Sequence, residues 1–500
     1  IPIVDQSALN VFQIQHAYDL NSKQRFTYGV DALLTRPNTG GTITGRNEDD
    51  DDLNEYGAYL QSETDLMEQL RFVLALRYDQ HNRLDDGVLS PRAGLVYKLQ
   101  ESQTLRLTYN RAFDTPTSNT MYLDLVARPD VYGIGSLFSE SLGFSPTVDL
   151  ATQGTYRGGY EEGFTFRRSN GHPMYSYSFQ PVFQQQLSAF GLSPGDAGYP
   201  IDNDGYINMH DPTASGLMWG IGRATVLQQL QPAQPLLAGL IAQQAVALGA
   251  DAETAQAQGD AAAAFVLQQG LPSMVPQQLA GLTNSMLILD PSTATFAPTE
   301  GAYDVPRTEP TITQTIEVGY KGIVAKNFVF AADAYRTDIE DFVGPLRVET
   351  PNVFLDPGSV SSALAPALAA ALADPENEAS AQVLGALDQV SIPDVSEGNG
   401  NGSAVDELTA IFVSGVAQIP FGTVSPEQAY DPAAVLMTYR NYGDITLYGL
   451  DLSAVYYPSD QWTISGNYSL VNKDIFKDLD IGTGVADLAL NAPKHKAKMS

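Results

Sequence analysis

Few side chains in this 500-residue sequence are spaced for catalysis. The five histidines, His16, His81, His172, His210 and His495, include no pair at metal-ligand spacing along the chain. There is no Gly-Xaa-Ser-Xaa-Gly elbow and no Gly-Lys-Ser or Gly-Lys-Thr phosphate loop. Cysteine is absent, which removes disulfides, thiolate metal sites and a cysteine nucleophile. The reading is therefore of a non-enzyme with no catalytic residue, metal centre or cofactor. Recognition chemistry is better represented. Tyr156, Tyr160, Phe164, Arg167, Arg168, His172, Tyr175 and Tyr177 fall in one stretch. Aromatic faces stack on flat or sugar ligands and arginine clamps anions, so this group is the candidate site for a small or medium-sized ligand. Loop packing is the plain alternative. Asp202 and Asp204, followed by Gly205 and Ile207, resemble part of a calcium loop. Pro200 occupies the first acidic slot and Asp211 replaces the closing Glu, which favours an ordinary Asn-Asp-Gly turn.

The elements around these residues read mainly as strands. Between Val88 and Asn119 a hairpin is expected, turning at Lys98 to Gln103. In its second strand Leu105, Leu107, Tyr109 and Phe113 point one way, and Thr104, Arg106, Thr108 and Asn110 the other. Leu70 to Asp79 alternates in the same manner, with Leu70, Phe72, Leu74, Leu76 and Tyr78 on one face. About eleven such runs occur, the others near Asn10–Leu20, Arg25–Arg36, Asn54–Glu63, Thr311–Gly322, Asn327–Phe342, Tyr439–Tyr457, Gln461–Lys473 and after Pro493. Two stretches interrupt them. Helices are expected over Pro235–Gly249, over Ala252–Gln269 with Asp251 as N-cap, and over Ser359–Val390 with Asp374 capping and Pro375 at a first helical position.

Connection lengths alternate. Asp19–Gln24, Thr64–Gln69, Lys98–Gln103, Ile323–Lys326 and Pro458–Asp460 are short. Pro37–Leu53, Gln80–Asp86, Thr115–Pro310, Val343–Thr438 and Asp474–Ala492 are longer, two of them very long. In an antiparallel meander alternate connections lie at the same end, so one end carries tight turns and the other the large loops. That is the layout of an outer-membrane barrel. No run of about 20 apolar residues exists for a spanning helix, but barrel strands need only about 9–11 residues each. Tyr97, Tyr320 and Tyr456 sit on apolar faces just before short turns, as an interfacial aromatic girdle does. Arg71, Arg77, Arg106, Glu317, Asp333 and Asp451 lie on the opposite face and suit a wet lumen better than a dry core. The balance of 58 acids against 27 bases, net −31, argues against nucleic acid as a partner. The acidic run Glu48–Asp52 reads as a solvated loop tip, the alternatives being a bridge through divalent cations to lipopolysaccharide or attraction of a cationic ligand.

The fold class is thus all-β, a transmembrane antiparallel up-and-down barrel with large extracellular insertions containing helices. The expected divisions are 1–118 barrel, 119–310 large insertion, helical at about 224–290, 311–343 barrel hairpin, 344–438 second insertion with helices, and 439–500 barrel. Ser90–Tyr97, Leu105–Phe113 with Pro116 and Asn119, Gln314–Gly322, Ala332–Tyr335 with Ile339, Asn441, Gly449–Ser453 and Asn491–Lys496 resemble, in order and spacing, the barrel of a TonB-dependent receptor. One departure is Asp114, where many relatives carry a basic or small residue. The resemblance implies a 22-stranded barrel closed by an N-terminal plug, with uptake driven by the TonB complex. Under it the chain, opening Ile1-Pro-Ile-Val, reads as a fragment lacking the plug, the TonB-contacting box and the last strands. It implies residence in the bacterial outer membrane, among lipid and lipopolysaccharide. It also implies import of a scarce ligand, a ferric siderophore first, an oligosaccharide or peptide next. A passive porin-like channel and a structural or adhesive barrel are the alternatives.

Overall fold

The computed structural model describes residues 2–131, 133, 147–156, 163–177, 184, 187–188, 191–282, 284–290, 295–302, 304–385, 387, 400–401, 403–477, 488–490 and 492–500. Eleven strands form one antiparallel sheet in chain order. They are β1 (Ala8–Asn21), β2 (Gln24–Arg36), β3 (Leu53–Met67), β4 (Leu70–His81), β5 (Val88–Gln100), β6 (Gln103–Asp114), β7 (Thr311–Ala325), β8 (Phe328–Glu340), β9 (Ile445–Ser459), β10 (Trp462–Val471) and β11 (His495–Met499). Each strand pairs with the next of these eleven in sequence, which makes the sheet an up-and-down meander.

Five hairpins close on two-residue turns, Ser22-Lys23, Glu68-Gln69, Glu101-Ser102, Lys326-Asn327 and Asp460-Gln461. These turns are tighter than the sequence suggested. The strands run on because pairing continues to the turn, and each hairpin absorbs a register shift just before it. In four hairpins the skipped residue is apolar and exposed: Leu20, Leu66, Leu99 and Val324. Such bulges add local twist at a barrel rim.

Paired residues in an antiparallel sheet share a face, so the register carries one surface type across the strands. One row runs Ile14, Val30, Ala58, Tyr78 and Leu89. Another runs Tyr97, Leu105, Tyr320, Ala332, Leu452 and Tyr468. Leu107 and Val318, paired on this face, are 49% and 53% exposed. A large apolar surface left open in this way matches a lipid-facing band. The opposite face is ionic. Arg77 contacts Asp31 and Asp79, Arg71 contacts Asp65 at 2.7 Å, and Arg106 bridges Glu317 and Asp333. The facing expected for the Leu105 strand and the positions of Tyr97, Tyr320 and Tyr456 hold in this register.

The two long interruptions fold together. His172–Tyr177 from the first pairs with Gly422–Val424 from the second. Met286–Asp290 pairs with Asn352–Leu355, which also pairs with Gly422–Val424. Leu150–Gln153 runs parallel to Val435–Thr438. One hydrophobic core spans both, including Trp219, Phe164, Phe166, Phe412 and Phe421. Leu408, Phe412 and Val416 recur every four residues and bury one face of the Val405–Ala417 helix. That helix approaches Pro212–Gln229 closely. A Cβ at Gly222 would meet Val416 at 2.8 Å, and one at Gly415 would meet Val226 at 2.5 Å.

Helix bounds differ from the expected ones. The helical part of the first insertion begins at Pro212, where Asp211 accepts from the Thr213 amide, and ends at Met274. Met286–Asp290 is a strand, recruited by Asn352–Leu355, which sequence periodicity does not reveal. Asp251 caps its helix as expected. Asp374 caps only the short turn Pro375–Asn377. The long helix before it is Pro357–Ala373, started by Asp356, whose carboxylate accepts from Gly358 and Ser359.

Candidate functional site

The stretch carrying the candidate ligand residues is organised by one tight hairpin. Arg168-Ser169 pairs with His172-Pro173 around Asn170-Gly171, whose φ values are 53° and 83°. Two successive positive φ angles are what a primed hairpin turn requires, and Asn-Gly supplies them at least cost. Arg168 and His172 therefore leave the same ribbon. Arg168 is held at 2.8 Å from Asp304 and donates to the Ala302 carbonyl at 3.0 Å. Arg167 lies 4.3 Å over the Tyr206 ring and 3.3 Å from Asp204.

Tyr156, Phe164 and Tyr175 are interior side chains. Phe164 is fully buried and exchanges backbone hydrogen bonds with Val305 at 2.7 and 2.9 Å. Tyr175 is also buried in the shared core. Tyr156 sits at the base of the unit against Leu53, Leu84, Met121 and Tyr122. Its hydroxyl donates to the Thr308 carbonyl at 3.1 Å, and burial pushes its pKa up to about 12. Tyr177 pairs through its backbone with Gly422. Tyr160 lies outside the described residues. The structure thus separates interior Tyr156, Phe164 and Tyr175 from an outer group of Arg167, Arg168 and His172.

Asp202 forms a turn. Its carboxylate accepts from the amides of Asp204 at 3.0 Å and Tyr206 at 2.8 Å, with Gly205 at φ +88°. This is an Asx turn, and Asp204 faces Arg167 instead of sharing a ligand with Asp202.

The acidic run Glu48–Asp52 is not a uniformly solvated tip. Asp51 is buried, and Glu48 is gripped by the amides of Thr39, Gly40 and Gly41 and the hydroxyls of Thr39 and Thr44. Burial pushes the Glu48 carboxyl up, but these donors outweigh it and hold its pKa at about 2. The same loop docks onto the insertions. Arg46 pairs with Asp124 at 2.8 Å and lies 4.0 Å over Tyr430, while Tyr430 donates to Asn47 at 2.6 Å.

Two further features escaped sequence reasoning. An apolar cavity of about 280 Å³ opens among Leu230, Leu237, Leu267, Leu271, Leu408 and Ile411, with almost no polar atom to orient a polar guest. His172 and His210, far apart in sequence, stack at 3.6 Å beside Glu300. The only local signal was Asn170-Gly171, which forms the ribbon that brings His172 back. Nothing in the sequence marked the pairing of Tyr175 with Ile207 that carries His210 to it.

No curated protein matches the chain. Among solved structures it is similar to the siderophore receptor PirA from Acinetobacter baumannii, at 10% identity and TM-score 0.38, covering 99% of this chain and 40% of that one. A mutant of the ferric enterobactin receptor PfeA from Pseudomonas aeruginosa also matches at 10% identity and TM-score 0.38, with 99% and 39% covered. The FrpB iron transporter from Neisseria meningitidis matches at 8% and 0.32, with 93% and 35% covered. The chain spans about 40% of the length of the first of these structures. The family model for the TonB dependent receptor-like β-barrel matches residues 5–203 and 272–500, leaving out most of the helical part of the first insertion. With the matched residues covering well over half of the sequence, including all eleven strands of the meander, the chain belongs to the TonB-dependent receptor-like β-barrel family.

Proposed function

We propose that this chain is the barrel portion of an energised outer-membrane importer, and that its cargo is a ferric siderophore. The observation that carries the reading is the asymmetry of the sheet. Five two-residue turns close one end, while both long insertions rise from the other and fold into one unit over it. A lipid-facing apolar band and an ionic inner face accompany that asymmetry. Capture falls to the insertion unit, and release inward requires work supplied from the periplasm through TonB. Arg167 and Arg168 stand near the unit's surface paired with Asp204 and Asp304, and an anionic chelate would engage them by taking the place of those carboxylates.

The test is uptake of radiolabelled iron-siderophore by cells carrying the full-length gene, with and without TonB. Uptake that needs both is expected. Uptake that persists without TonB replaces this reading with a passive channel. Absence of uptake for every siderophore, with growth on an oligosaccharide or peptide dependent on the gene, moves the cargo to that class.

A further inference from the structure

We infer that His172, His210 and Glu300 form a binding site for a divalent transition-metal ion, zinc by donor chemistry, on the insertion unit. Each offers one donor atom, and the three atoms lie within 4.8 Å of one another. His210 Nε2 and Glu300 Oε1 are 3.4 Å apart. Tetrahedral zinc with bonds of about 2.0–2.1 Å needs neighbouring donors about 3.4 Å apart, so this pair already has the spacing. His172 is stacked on His210 at 3.6 Å with 18° between the rings. Nearly parallel rings aim their lone pairs side by side, so binding requires a turn of the His172 ring about χ2. That torsion is broad and turns at little cost. The Thr299 hydroxyl, 3.1 Å from His210 Nε2, holds the His210 ring by a hydrogen bond that the ion displaces.

The scaffold under these ligands is fixed. Met174 and Tyr175 pair with Asn208 and Ile207. The Met209 amide donates to Pro173 at 3.2 Å, Asn208 donates to Ser169 at 3.2 Å, and the Asn208 side chain receives the His210 amide at 2.8 Å. On the third side Arg168 ties Ala302 and Asp304 to the same ribbon. The backbones carrying all three ligands are therefore set before an ion arrives, which a metal site needs.

Two imidazoles and one carboxylate select zinc and its neighbours over calcium or magnesium, which take six or more oxygens, or keep a full shell of water. His172 and His210 are half-buried and Glu300 exposed, so the fourth position is open to water or to a donor from a guest. An ion there would clip the hairpin, the start of the Pro212–Gln229 helix and the Thr299–Gly301 turn into one rigid patch.

The test uses the purified full-length receptor in detergent, titrated calorimetrically with zinc chloride. One zinc per chain is expected, with affinity weakened at least about tenfold in each of His172→Ala, His210→Ala and Glu300→Gln. Heat-modifiable migration on gels checks that each variant still folds. Cobalt(II) loading of the unmutated receptor gives a second readout, strong visible absorption from tetrahedral coordination. No zinc uptake by the unmutated receptor overturns the inference. So does unchanged affinity in all three variants, which would put the ion on the acidic loops, or a weak octahedral cobalt spectrum. The result is independent of whether iron uptake requires TonB.

Discussion

Arg77 on β4 reaches over Gly57 of β3 and grips Asp31 on β2 with two parallel hydrogen bonds of 2.7 and 2.8 Å. A side chain on β3 would block this reach, and glycine there leaves the path open. The fork joins β2 to β4 across β3 through one guanidinium, which also holds Asp79 of β4. Ion pairs half-exposed to a wet lumen are screened, so their value lies in geometry more than in charge.

Arg77→Ala should therefore lower the unfolding free energy of the barrel by about 1–3 kcal/mol. A double-mutant cycle with Asp31→Asn should return a coupling of about 1 kcal/mol. Urea unfolding followed by heat-modifiable migration measures both. Additive single mutants would show that the fork contributes nothing specific.

The facing of β6 makes a sharper contrast. Leu107→Arg should cost about 2–4 kcal/mol and reduce assembly into membranes, because its side chain lies in the apolar row beside Val318. Thr108→Arg, one residue on, pairs across from Glu317 and should assemble normally. Comparing the amounts of each variant in outer-membrane fractions checks the assignment, and equal yields would reverse it.

Phe412→Ala should destabilise the insertion unit by about 3–5 kcal/mol while sparing the sheet. The ring is fully buried and lies 6.3 Å from Trp219. Limited proteolysis should then cut both insertions, 119–310 and 344–438, at the same protease concentration. Cleavage confined to the second insertion would mean that the two do not share a core.

Glu48 sets an acid limit on its loop. Its folded pKa, about 2, lies below the ordinary 4.5, so the stabilisation it gives is present above about pH 4.5 and is lost as pH falls towards 2. After solvent screening that amounts to roughly 1–2 kcal/mol. Pepsin nicking of residues 37–52, normalised to an unstructured peptide, should rise through that window. Glu48→Gln should be nicked already at pH 4.5.

Alternation of side chains along single strands was legible because it is local. Leu105, Leu107 and Arg106 declare their faces without reference to any partner. Asp251 was legible for the same reason, since a cap concerns only the next turn. Leu20, Leu66, Leu99 and Val324 were not recognisable as bulges, because a skipped residue exists only relative to the opposite strand. Phe164 and Tyr175 carried the composition of a binding surface and proved to be interior, since burial depends on the distant segments that cover them. His210 and Glu300 gave no sign of proximity to His172 for the same reason. Their meeting is the product of the ladder between Tyr175 and Ile207 and of the grip of Arg168 on Asp304.

The interleaving of the two insertions also limits how such a receptor can change. Gly422–Val424 needs His172–Tyr177 on one edge and Asn352–Leu355 on the other. Neither insertion can then be exchanged alone for that of a relative without leaving strand edges and a half-filled core. A chimera made by grafting a single loop should misfold, whereas moving both segments together carries a complete module. For recombination, two stretches separated by the hairpin of β7 and β8 behave as one heritable unit.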